Sequence, residues 1–102
     1  MIEKTIQKLV YLPKKHVVYA LKQDVNYMFK FEKDGRCCLS QKGERQKMSI
    51  TLRAANPKRN VQPKDILYIL SANKTLTNKI FWALETQRDL FEIKFLAGQY
   101  TS

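Results

Sequence analysis

An α+β domain is the fold this sequence predicts. Its sheet is expected to be a small, mostly antiparallel one, or a partly closed β-barrel, of five to six strands. One helix is expected in the C-terminal half, and a short helix over residues 2–10 is an alternative to a first strand. Three observations lead there. Apolar and polar residues alternate with the period of a strand over 25–32 and 47–53, and a helical period governs 76–84. The composition, 44% hydrophobic and 11% aromatic, suits a folded protein and is too apolar for a disordered basic tail. At 102 residues, a single domain spanning 1–102 can bury one core without disulfide or metal staples.

Taken in order, Ile2, Ile6, Leu9 and Val10 recur at helical spacing ahead of Pro13, although Lys8 to Leu12 also reads as a strand. His16 to Lys22 is rich in β-branched and aromatic residues and reads as a strand. In the next segment Val25, Tyr27, Phe29 and Phe31 share one apolar face. Lys33-Asp34-Gly35 offers a turn, and Arg36 to Ser40 returns. A two-residue turn would mix the faces. A three-residue loop with left-handed Gly35 aligns Phe31 with Cys37 and Phe29 with Leu39 and keeps one face apolar.

Met48, Ile50 and Leu52 then alternate with Lys47, Ser49, Thr51 and Arg53, a half-buried strand whose wet face carries cations and hydroxyls. Residues 54–64, with two prolines and two asparagines, read as a loop. The apolar run Ile66 to Leu70 reads as a central strand. A well-packed helix with Thr75 as N-cap and Phe81 and Trp82 in its apolar arc follows, and Phe91, Ile93 and Phe95 mark a last strand.

Charge is distributed unevenly over these elements. From Arg36 to Lys64 eight basic residues face one acid, Glu44, so this stretch carries +7 of the total +10. A field of one sign on a small body attracts polyanions, of which nucleic acid is the commonest in cells. The expected function is therefore that of a small basic protein, regulatory in role, binding RNA or single-stranded DNA. The contacts are assigned to the strand 47–53 and a flexible loop 54–64. Lys42, Lys47, Lys58 and Lys64 are expected on phosphates, and Arg45, Arg53 and Arg59 on phosphates or bases. The Ser49 and Thr51 hydroxyls serve as further donors. Tyr11, Tyr19, Tyr27, Tyr68 and Tyr100 are the candidates for base stacking. No recognition-helix pattern accompanies them, which disfavours major-groove reading.

Other classes have less support. The adjacent Cys37 and Cys38 make neither an ordinary disulfide nor a zinc site, and they read as reduced thiols of a cytoplasmic protein. The N-terminus lacks the apolar run of a signal peptide, and no stretch reaches the length of a membrane span. The sole histidine, His16, has no neighbouring carboxylate to make it a general base. No cofactor, metal site or enzymatic activity is expected. A protein-interaction or adaptor module, of a phage or mobile element, is the alternative function. A homodimer through an edge strand, 16–22 or 90–96, is compatible with either function.

Two short resemblances bear on these readings. Val61-Gln62-Pro63-Lys64-Asp65-Ile66-Leu67-Tyr68 is similar to the opening of a strand in PUA-like domains, which usually carry Gly-Asp where this chain has Lys64-Asp65. That likeness implies a small RNA-binding barrel. Asp65 with Glu92-Ile93-Lys94 resembles the metal-dependent PD-(D/E)xK nucleases. In those enzymes two carboxylates hold a cation and the lysine polarises the attacking water or the scissile phosphate. A metal-dependent nuclease is thus the second alternative.

Overall fold

Alternating side chains build the sheet, and its strands follow the chain order. A computed structural model describes residues 6–42, 50–86 and 91–98. It contains strands β1 (Ile6–Leu12), β2 (Val17–Lys22), β3 (Val25–Phe31), β4 (Cys37–Gln41), β5 (Ile50–Ala54) and β6 (Phe91–Phe95). A 3-10 turn, Pro13–Lys15, joins β1 to β2, and helices α1 (Pro63–Ala72) and α2 (Lys74–Thr86) lie between β5 and β6. The six strands form one open sheet in the order β1-β2-β3-β4-β5-β6. The first four pairings are antiparallel, and β5 pairs with β6 in parallel. This is the expected α+β domain, with an open sheet rather than a barrel.

The hairpins follow from backbone chemistry. Gln23 and Asp24 both have positive φ, 52° and 62°, as a two-residue turn matching the twist of its strands requires. Asp24 N–H is held at 2.9 Å by Gln7 Oε1 on β1. Between β3 and β4, Gly35 takes φ +94°, and the register is Phe29 with Leu39 and Phe31 with Cys37. The three-residue loop and one apolar face were legible as such.

Residues 6–12 take the strand alternative of the two left open for them. Three elements depart from expectation. Because β1 covers β2, the segment 16–22 is internal and cannot be an edge. The edges are β1 and β6. The run Ile66 to Leu70 belongs to helix α1, not to a central strand or to a PUA-like one. Pro63 occupies its first turn and Gln62 N–H donates to Asp65 Oδ2 at 2.7 Å, which starts a helix that the apolar run then continues. Asn73, rather than Thr75, caps α2: its Oδ1 accepts Leu76 N–H at 3.0 Å.

Both helices cover the sheet face that carries Val18, Ala20, Tyr27, Phe29, Leu39 and Leu52. Ile66, Ile69 and Leu70 of α1 and Ile80, Phe81, Ala83 and Leu84 of α2 fill it. Phe81 is central, meeting Tyr27 edge-on at 4.8 Å between ring centroids and Phe29 at 6.4 Å. Lys22 is 2% exposed, its Nζ 4.7 Å from the Phe81 centroid and 3.6 Å from Glu85 Oε1. The fully buried Phe81 side chain is worth about 1.5–3 kcal/mol in area terms. Trp82 does not join it: it is 58% exposed. Thr77 Oγ1–H closes the helix pair by donating to Ile69 O at 2.8 Å. None of the described helices is long and apolar enough to cross a membrane.

Candidate nucleic-acid interface

The meander brings several turns to one end of the sheet. There β1, β3, β5 and β6 finish, β2 and β4 begin, and α1 starts. The end gathers Lys14, Lys15, Lys30, Lys33, Arg36, Arg53, Lys58, Arg59, Lys64 and Lys94, ten cations against the four carboxylates Glu32, Asp34, Asp65 and Glu92.

The sequence-assigned residues are divided by this arrangement. Lys42 follows β4 at the opposite end, its Nζ 4.8 Å over the Tyr19 ring. Arg45, Lys47 and Ser49 lie outside the described residues. Of the described cations between Arg36 and Lys64, Arg36, Arg53, Lys58, Arg59 and Lys64 thus share one end of the sheet, and Lys42 is carried to the other by β4. Thr51 is 6% exposed beside Cys38, so the wet strand face expected there is closed at this position.

The arginines are committed more than the lysines. Arg53 Nε donates to Glu92 Oε2 at 2.7 Å, and Arg36 Nε to Asp34 Oδ2 at 2.7 Å. Arg36 N–H also donates to Asp34 Oδ1, the leading cause that holds the Asp34 carboxyl below its ordinary range. The Arg59 guanidinium lies against Gly98, with Nη2 4.0 Å from Asp65 Oδ1. Asp65 is fully buried, and its Oδ1 also accepts Gly98 N–H at 3.1 Å. By contrast Lys15, Lys30, Lys33, Lys58 and Lys64 are exposed, with no carboxylate within 4.0 Å among the described residues.

The loop that presents Lys58 and Arg59 is tied down at both ends. Ala55 N–H donates to Phe95 O at 2.7 Å and Val61 N–H to Gly35 O at 2.9 Å. Inside it, Lys58 N–H donates to Asn56 Oδ1 at 3.0 Å, an Asx turn. Asn60 packs against Gly35, and Val61 is buried in the core.

Two concavities adjoin at this end and share Asn60, Gln62 and Pro63. One, of about 680 Å³, is lined by Tyr11, Asn56, Lys58, Arg59 and Lys64 besides, and by no carboxylate. The other, about 750 Å³, includes Lys15, His16, Lys30, Lys33 and Arg36 with Glu32 and Asp34. Sequence reading missed Lys14, Lys15, Lys30 and Lys33 because only strand pairing joins them to the loop.

Both carboxylates of the nuclease-like set have other partners. Asp65 is spent on Gln62 and Gly98 backbone N–H groups, and Glu92 on Arg53. No group of three or more His, Cys, Asp or Glu that could hold a metal occurs among the described residues. Burial raises the thiol of Cys37 well above its ordinary value and lifts that of Cys38 as well. No protein-family model matches the chain, and no match is found among curated proteins or solved structures.

Proposed function

We propose that this protein binds RNA or single-stranded DNA along the basic end of its sheet. The observation that carries the reading is the excess of ten cations over four carboxylates there, with three of the carboxylates already held by arginines. Phosphate contact needs cations whose charge is not cancelled, and Lys15, Lys30, Lys33, Lys58 and Lys64 line the two adjoining concavities in that condition. A single strand suits the surface better than a duplex. Helix α1, which starts at this end, is packed into the core through Ile66, Ile69 and Leu70, and its positive N-terminus is already occupied by Asp65.

Titration of a labelled single strand against salt tests the proposal. Five lysines on phosphates give a log–log slope near −3.5, since each contributes about −0.7. Replacing Lys58 and Lys64 together by Ala flattens the slope by about 1.4. A slope near zero, or one unchanged in the double variant, refutes the reading. A protein partner is the second reading, favoured by Trp82 at 58% exposure on α2 and by the outer edge of β6, which has no neighbour among the described strands. A complex that survives nuclease and high salt would mark that alternative.

A further inference from the structure

We infer that the carboxylate-free concavity is a base pocket, in which one nucleobase of a bound single strand stacks on Tyr11. This rests on the nucleic-acid reading above and assigns it a chemistry beyond phosphate attraction.

Of the tyrosines considered for stacking, Tyr27 is buried against Phe81 and Tyr19 has the Lys42 ammonium over its ring. Tyr11 differs. It stands on β1 opposite Val18, one residue before the strand gives way to the Pro13 turn, and is 39% exposed. The concavity it lines has about 680 Å³, within the range of small-molecule sites. Stacking needs an aromatic platform, phosphate needs a cation on either flank, and a base edge needs groups that both donate and accept. Tyr11 supplies the first, Lys58 and Lys64 the second, and the amides of Asn56, Asn60 and Gln62 the third.

One of those amides is positioned before any ligand arrives: Asn56 is held by the Lys58 N–H donated to its Oδ1, and Asn60 lies close beside Gly35. A purely electrostatic patch requires neither a ring nor amides beside it. Their presence in one groove with cations distinguishes a site that reads bases from one that tracks only charge.

Fluorescence anisotropy with two probes separates the outcomes. One probe is an oligothymidine of about fifteen nucleotides and the other is an abasic strand of equal length, so that the charge is the same and only the bases differ. The wild-type protein is expected to bind the oligothymidine about 5- to 150-fold more tightly than the abasic strand. Tyr11→Ala should close that gap by weakening only the oligothymidine, and Tyr11→Phe should preserve it. Thermal unfolding of each variant establishes that the fold is kept. Equal wild-type affinity for the two probes overturns the base pocket while leaving the nucleic-acid reading intact, as does a gap that persists in a folded Tyr11→Ala protein. Binding of neither probe overturns both.

Discussion

Lys58 and Arg59 are neighbours in sequence, both cationic and both at the proposed interface, yet their removal should have opposite consequences. Arg59 lies over Gly98 with Nη2 4.0 Å from a fully buried carboxylate, whereas Lys58 has no carboxylate within that range among the described residues. At 4.0 Å and an effective dielectric constant of about 20, the gross attraction is about 4 kcal/mol. Arg59 keeps 39% side-chain exposure, so hydration and salt remove most of that. The loss of about 3–5 kcal/mol seen when a fully buried pair is broken is an upper bound, because Asp65 retains the N–H groups of Gln62 and Gly98.

Arg59→Ala should therefore cost about 1–2 kcal/mol, part of it lost packing of the arginine stem. With an unfolding entropy of about 2.1 cal/mol/K per residue over 102 residues, the midpoint falls by about 5–9 °C. Lys58→Ala should change stability by less than about 0.5 kcal/mol, as exposed substitutions usually do. Urea and thermal unfolding followed by circular dichroism measure both. Salt titration should give the reverse order, with the slope flattened by about 0.7 in Lys58→Ala and by less in Arg59→Ala. Coincident unfolding midpoints for the two variants would show that Arg59 is not part of a clasp with Asp65 and Gly98.

Two further outcomes follow from the same contacts. Gly35→Ala would place a Cβ on Asn60 and force φ near +94°, so it should cost more than about 1–2 kcal/mol and loosen the 55–62 loop. Unchanged protection of the Val61 amide in hydrogen exchange would contradict this. A thiol whose folded pKa is raised contributes stability that is whole below its unfolded pKa and is lost as pH rises through the folded one. For Cys37, buried with an ordinary value of 9.0, stability should thus decline as pH climbs above 9.0. Urea midpoints should show a shallower decline in Cys37→Ala, and an identical decline would exclude this thiol as its source.

Local alternation was enough to read the β3–β4 hairpin, because a one-residue slip would have turned Phe29 and Phe31 to water. It failed at Ile66 to Leu70, where a short apolar run serves a buried strand or a helix equally well. The deciding signals were the flanking residues, Pro63 in the first turn and Asp65 three positions after Gln62. Trp82 was misplaced because an amphipathic arc drawn from Phe81 does not fix where the arc ends. At the candidate site, the surplus of cations was legible by counting, but their use was not. Arg53 meets an acid 39 residues away, a pairing created by the β5–β6 contact. Lys15 and Lys33 reach the loop through turns far from it in sequence. Such partners depend on topology, which a one-dimensional pattern does not carry.

The parallel pairing of β5 with β6 also closes the longest stretch of chain among the described strand pairs. Strands β1 to β4 can zip through short turns, but β6 must return across two helices before it meets β5, a slow closure of high sequence separation. The backbone carbonyl of Phe95 and the amide of Gly98 arrive only with that final strand, and they moor Ala55 and Asp65 on either side of the cationic loop. A chain whose last strand is displaced would consequently keep the charges of this loop but lose the two contacts that frame it.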